Sequence, residues 1–208
     1  MIDKWLSKSK VNYTLEKLVR KLLSNRITAN QITIIGFGIG LLSALFIFLS
    51  GRLVWELEFI IIGVMLMLIS FFFDTLDGAL ARLVKPTKFG GILDIFCDRA
   101  VEISIILSIV STNPILLWPG LLSLASIVLC ITMFLLVGGA VKPENLEDNK
   151  KAIYYRHGLM ERSETLIFLF LIAVLVPFRL IILWTFFGLV LITALIRLKD
   201  AYSIFKGK

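Results

Sequence analysis

The chain has 208 residues, of which 58% are apolar and 18% charged, with a formal net charge of +7. Soluble domains are about 45–50% apolar, so a mean hydropathy of +0.93 excludes an ordinary water-soluble enzyme and points to a one-domain polytopic membrane protein. The basic excess is modest and no basic patch interleaves with aromatics outside the apolar stretches, which argues against nucleic acid as a partner.

Residues 2–24 place Ile2, Trp5, Leu6, Leu15, Leu18, Val19, Leu22 and Leu23 at i, i+3, i+4 spacing, with Lys and Arg elsewhere. This pattern predicts an amphipathic helix lying on the membrane surface. The first thirty residues are too charged for a cleavable signal peptide, so none is expected. Asn30 is the expected N-cap of the first span, over about 31–50. Further spans are expected at about 57–83, 90–111, 115–139, 165–177 and 180–198. A charged loop over 141–164 separates the fourth from the fifth. The predicted fold class is all-α: six transmembrane helices (31–208) preceded by an interfacial helix (1–30). Cys97 and Cys130 both fall in apolar stretches and read as small buried side chains rather than a disulfide.

Lys and Arg number seven in the N-terminal segment, three around the second turn, five in 141–164 and four after Ile196. The opposite loops hold only Arg52 and Arg179. Nineteen against two places both termini on the cytoplasmic side. Arg156 and Arg162 read first as ordinary loop charge of this kind, and His157 as a solvated loop residue. Glu161 and Glu164 bracket the start of the fifth span as helix-start acids.

Four aspartates break the apolar pattern: Asp74 and Asp77 late in the second span, Asp94 and Asp98 early in the third. Each ionisable residue at bilayer depth costs roughly 2.5–3.5 kcal/mol on insertion scales. Four therefore cost on the order of 10 kcal/mol, comparable to the stability of a whole domain, and require a cation among them. At about 100° per residue, Asp74, Asp77, Gly78 and Ala81 share one arc of a helix, with Arg82 at its edge. Gly90, Gly91, Asp94 and Asp98 share an arc of the next. A short turn makes the two helices neighbours, so four carboxylates face one cleft, a donor set that suits Mg²⁺ or Mn²⁺. Ion pairing within the membrane, with Arg82 or Arg99, is the plainer alternative for any one Asp but not for four.

These residues resemble the signature of the CDP-alcohol phosphatidyltransferases, D-x2-D-G-x2-A-R, about eight residues, then G-x3-D-x3-D. Asp74, Asp77, Gly78, Ala81 and Arg82 match the first half and Gly90, Asp94 and Asp98 the second, with seven residues between Arg82 and Gly90. The stretch Thr28-Ala29-Asn30-Gln31-Ile32-Thr33 is similar to the family's T-P-N-x-x-T entry, with Ala29 in place of proline. The resemblance implies a six-span catalytic domain, a homodimer, and transfer of a phosphatidyl or archaetidyl group from CDP-diacylglycerol or CDP-archaeol to a small alcohol, releasing CMP. It implies Asp74, Asp77, Asp94 and Asp98 as ligands of Mg²⁺ or Mn²⁺, and Asp98 also as the general base. Asp74, Gly78, Ala81, Arg82 and Asn30 are then expected at the nucleotide. Lys88, Arg99, Arg156 and Arg162 are candidates for an anionic acceptor. The expected setting is a prokaryotic cytoplasmic membrane, with the cleft facing the cytoplasm. A divalent-cation transporter is the rival reading, since intramembrane carboxylates also mark ion paths. Against it, the aspartates gather at one surface, and Gly78, Ala81 and Arg82 have no place in such a path.

Overall fold

A computed structural model of the chain describes residues 27–84, 87–140, 160 and 162–206. The expected interfacial helix, and the loop residues Arg156, His157 and Glu161, lie outside the described residues. Among those residues every element is helical. The six α-helices are α1 (Ala29–Ser50), α2 (Glu56–Val84), α3 (Lys88–Val110), α4 (Leu117–Ala140), α5 (Arg162–Val174) and α6 (Arg179–Lys206). Single 3₁₀ turns, Pro114–Leu116 and Val176–Phe178, lead into α4 and α6.

Four stretches, Ala29–Ser50, Glu56–Ala81, Pro114–Val137 and Val176–Ser203, are long and apolar enough to cross a bilayer, which marks an integral membrane protein. The other two helices depart from the expected spans. Helix α3 has 23 residues but carries Asp94, Asp98, Arg99 and Glu102 along its length. Helix α5 has 13 residues, about 20 Å at 1.5 Å per residue, against a hydrocarbon core of about 30 Å. It starts at Arg162, inside what the sequence suggested was loop, and stops at Val174 rather than reaching 177. Pro177 enforces that stop, because it has no N–H to donate to the Ala173 carbonyl one turn back. At the other end of the chain α6 continues to Lys206, well past the expected 198.

The N-terminus of α1 also differs. Thr28, not Asn30, is the N-cap. Its hydroxyl accepts from the Gln31 N–H at 3.3 Å, and the Gln31 side chain accepts from the Thr28 N–H at 2.9 Å. This reciprocal capping box satisfies two orphan donors at once and does not use the Asn30 side chain.

Helix α1 is the packing platform. Its buried face is Ile32, Thr33, Gly36, Gly40, Ser43, Ala44, Ile47 and Ser50, mostly small residues at helical spacing. In lipid, apolar surface alone does not favour one helix neighbour over lipid tails, so close approach and interhelical hydrogen bonds decide the pairing. Both occur here. Ser43 donates to the Gly63 carbonyl at 2.7 Å and Ser70 to the Gly36 carbonyl at 2.8 Å, joining α1 to α2. A Cβ at Gly40 would stand 2.6 Å from a Val101 methyl, so α1 meets α3 with no room to spare. Helix α4 pairs with α6, and α5 touches α2, α3 and α6. The main core gathers Ile47, Met67, Ile105, Ile109, Leu169, Ile172 and Phe186. A smaller cluster of Ile32, Leu76, Ala79 and Leu80 locks the start of α1 onto the end of α2, beside Asp77. Outward positions such as Ile34, Ile61, Leu129 and Ile181 are apolar and exposed, as lipid contact requires.

Gly40 and Gly38 offer a paired test, because a Cβ at Gly38 meets nothing within 4 Å. Gly40→Leu is expected to lower the thermal midpoint in detergent, at an overpacking cost of about 1–3 kcal/mol. Gly38→Leu should leave it near wild type. Equal midpoints for the two variants would show that α1 and α3 are not in close contact.

Candidate active site

Helix periodicity brings the acidic residues to one place. Asp74 and Asp77 lie i, i+3 near the end of α2, and Asp94 and Asp98 lie i, i+4 in the first half of α3. Carboxylate oxygens of Asp74, Asp94 and Asp98 come within 4.8 Å of one another. The cation that such a cluster demands is Arg162, the first residue of α5. Its Nη2 donates to Asp74 Oδ1 and lies 2.5 Å from Asp98 Oδ2. Its Nη1 faces Asp94 Oδ2 at 3.8 Å. Asp94 Oδ1 is buried and has no hydrogen-bond partner among the described residues.

Asp77 stands apart from this trio. It is 3% exposed and accepts a 2.6 Å hydrogen bond from the Thr33 hydroxyl of α1. Both residues line the same cleft as Asp74, Asp98 and Arg162. The cleft also includes Glu102, 2% exposed, which pairs with Arg99 one turn back at 2.5 Å.

The remaining predicted residues are placed as follows. Gly78 and Ala81 are half-buried in the last turns of α2. Arg82 belongs to α2, with its side chain outside the described residues. Asn30 reaches α3: a Cβ on Gly90 would lie 2.9 Å from Asn30 Oδ1 and 2.8 Å from Thr87 Oγ1. Gly91 faces open space. Gly90 is therefore the glycine that the close approach of α1 requires. Its N–H is also capped by the Thr87 hydroxyl at 3.0 Å. Lys88 is exposed at the start of α3. Arg99 is turned to Glu102 rather than to an aspartate.

Three features escaped sequence reasoning. Glu102 was legible in principle, being four residues after Asp98 and thus on its face. Thr33 was noted only as part of the entry stretch, and nothing local ties it to Asp77, 44 positions on. Arg162 reads from the sequence as loop charge or as an acceptor-binding cation; what escapes is its place among the aspartates, with its partner Asp74 88 positions away.

The architecture is that of a helical integral membrane protein with an acidic cleft, bridged by an arginine, at one end of its bundle. The chain belongs to the CDP-alcohol phosphatidyltransferase family, whose model matches residues 26–196 and so takes in every described site residue. It is 43% identical over 101 residues to an archaetidylinositol phosphate synthase of Pyrococcus horikoshii, a match covering 48% of this chain and 50% of that protein. It is 32% identical over 183 residues to the inner membrane protein YnjF of Escherichia coli, covering 85% of this chain and 83% of that one. A phosphatidylinositol phosphate synthase of Mycobacteroides abscessus is 36% identical over 86 residues, 41% of this chain and 36% of the relative. The first of these matches thus spans half of the relative's length. Among solved structures, the fold is shared with a Mycobacterium tuberculosis phosphatidylinositol phosphate synthase with CDP-DAG bound. The TM-score is 0.70 at 22% identity, covering 91% of this chain and 94% of that one. The same enzyme in complex with manganese and citrate aligns with a TM-score of 0.69.

The Thr33–Asp77 bond carries a stability prediction. Thr33→Val keeps the shape and removes the donor, leaving a buried carboxylate short of its partner. The expected loss is about 1–3 kcal/mol, read as a lower thermal midpoint of the chelated protein in detergent. An unchanged midpoint would mean that Asp77 does not depend on Thr33.

Proposed function

We propose that this chain transfers a phosphatidyl or archaetidyl group from a CDP-linked lipid to the hydroxyl of a small polar alcohol and releases CMP. The observation that carries the reading is the convergence of Asp74, Asp94 and Asp98 within 4.8 Å, inside the segment matched to the family. The donor set fits a hard divalent cation, because all the groups are carboxylates and Asp94 Oδ1 is a buried oxygen in want of a partner. Asp74, Asp77, Asp94 and Asp98 would hold Mg²⁺ or Mn²⁺. When bound, the ion supplies charge neutralisation and Lewis-acid polarisation for a pyrophosphate.

The chain's own residues do the rest. Gly78 and Ala81 keep the α2 surface low where the nucleotide lies, with Asn30 beside it. Arg82 offers a planar fork to phosphate. The acceptor oxygen attacks the lipid-bearing phosphorus, and the bond from that phosphorus to the CMP oxygen breaks. Asp98 takes the acceptor's proton, and CMP leaves with the bonding pair. Lys88, Arg99, Arg156 and Arg162 hold the charge of an anionic acceptor. The relatives named as inositol phosphate synthases make a polyol phosphate the first acceptor class to try. The six helices lie in the membrane, and the cleft and both termini face the cytoplasm of a prokaryotic cell. Two copies associate as a homodimer.

The test is CMP release from CDP-diacylglycerol and from CDP-archaeol against a panel of alcohols and polyol phosphates. At least one pair should react, EDTA should abolish the reaction, and Mg²⁺ or Mn²⁺ should restore it. Silence across the panel in folded protein would overturn the transferase reading, and full activity after chelation the metal assignment.

Asp98→Asn separates chemistry from binding. It keeps the shape but cannot take a proton, so turnover should fall by roughly 10²–10⁴-fold while CDP binding by calorimetry changes little. Asp74→Asn should lose CDP binding as well. Equal loss of binding in both variants would make Asp98 chiefly a ligand.

A further inference from the structure

We infer that Arg162 is a tethered counter-cation that occupies the divalent-ion position and must be displaced when the ion binds. The inference rests on the metal-dependent reading above.

Arginine ordinarily meets a carboxylate fork to fork, two nitrogens on the two oxygens of one group. Arg162 does something different. A single nitrogen, Nη2, bridges Asp74 from α2 and Asp98 from α3, while Nη1 turns to Asp94. One nitrogen between two carboxylates on different helices is the geometry of a point cation. These are the same three residues whose oxygens converge within 4.8 Å. A hard divalent ion sits about 2.0–2.6 Å from its carboxylate oxygens, so it needs the space that Nη2 holds. With the guanidinium in place, the cavity beside it is about 30 Å³.

Charge gives the exchange its direction. Fully ionised, three carboxylates against one guanidinium leave two negative charges unbalanced, with Asp77 close by. A divalent ion brings two charges to a place where arginine brings one. Arg162 also has a way out: its side chain is 36% exposed, and it hangs from the first residue of α5 by a long flexible stem. Once displaced, the guanidinium stands at the cleft mouth as a free anion-binding group, beside the phosphates that the ion recruits.

The experiment is calorimetric titration of Mn²⁺ into the chelated full-length protein in detergent, without nucleotide, together with thermal midpoints with and without Mn²⁺. Arg162→Gln removes the competitor. Its Mn²⁺ affinity should rise roughly tenfold or more, as expected for uncoupling close charges. Its metal-free midpoint should fall below wild type, and its Mn²⁺-loaded midpoint should return towards it. Arg162→Lys keeps the charge on a compact ammonium that cannot span three carboxylates, and its affinity should lie between the two. This variant carries the comparison should Arg162→Gln fail to fold. Mn²⁺ affinity equal to or weaker than wild type in the folded variants overturns the inference and leaves the metal-dependent reading standing. Absence of Mn²⁺ binding in wild type and in both variants overturns both.

Discussion

Everything at this end of the bundle depends on placing carboxylates where they are expensive. Asp74, Asp94 and Asp98 repel one another at close range, and the effective cost of desolvating such groups is several kcal/mol each. The folded chain offsets this with one guanidinium from a remote helix. That requirement fixes where α5 must pack: its first residue has to arrive level with Asp98. A second buried arginine fixes its other end. Arg179, at the start of α6 and 3% exposed, donates to the carbonyls of Ile172 and Ala173 at 3.0 and 3.1 Å and to the Thr112 hydroxyl at 3.2 Å. These are late carbonyls of α5 that no intrahelical bond can satisfy. Cation and helix C-terminus also attract. A helix of 13 residues is thus pinned by an arginine at each end.

The acids themselves are positioned from the other side by α1. Its small residues let α2 and α3 come close, Thr33 holds Asp77, and Asn30 rests against Gly90. The hydrogen bonds from Ser43 and Ser70 run between α1 and α2, so the pair is tied at two levels. Interhelical bonds of this kind in membranes are worth only about 0.6–2 kcal/mol each. Their value here is registry: a shift of α2 along α1 by one turn would separate Thr33 from Asp77 and Ser70 from Gly36 together.

How much of this was legible in the sequence follows from the range of each interaction. The arcs of Asp74–Asp77 and Asp94–Asp98 are set by helix periodicity and a short turn, both local, and they were readable. So were the starts and ends of α1, α2, α3 and α4 to within two or three residues, because apolar runs and Pro, Gly or Asn punctuation mark them. Asn30 misled as a cap because the stronger signal, Thr28 with Gln31 three residues on, lies two positions upstream. The length of α5 was obscured because apolar residues continue through Leu175 and Val176 to Phe178, and hydropathy alone does not register Pro177. Arg162 could not be found by any local rule. Its charge resembled that of its loop neighbours, and only the packing of α5 against α2 and α3 reveals its partners.

The shortness of α5 has a consequence for depth. From Lys88 to Asp94 is six residues and to Asp98 ten, about 9 and 15 Å along α3 at 1.5 Å per residue. Arg162 meets Asp98 at that level, and Arg179 ties the far end of α5 to Thr112, just past the end of α3. Helix α5 therefore runs beside the inner half of α3 and does not accompany its first two to three turns. Among the described residues, the first turns of α3 and the last turns of α2 rise above Arg162 with no α5 beside them. The acidic cluster is in this way recessed below the end of the bundle instead of lying flush with it. A lipid-linked pyrophosphate sits at headgroup depth, with its chains alongside the helices and its nucleotide towards water. On the proposed reading, a carboxylate site sunk by two or three helical turns would meet such a molecule at its phosphates. A site flush with the bundle end would meet only its nucleotide.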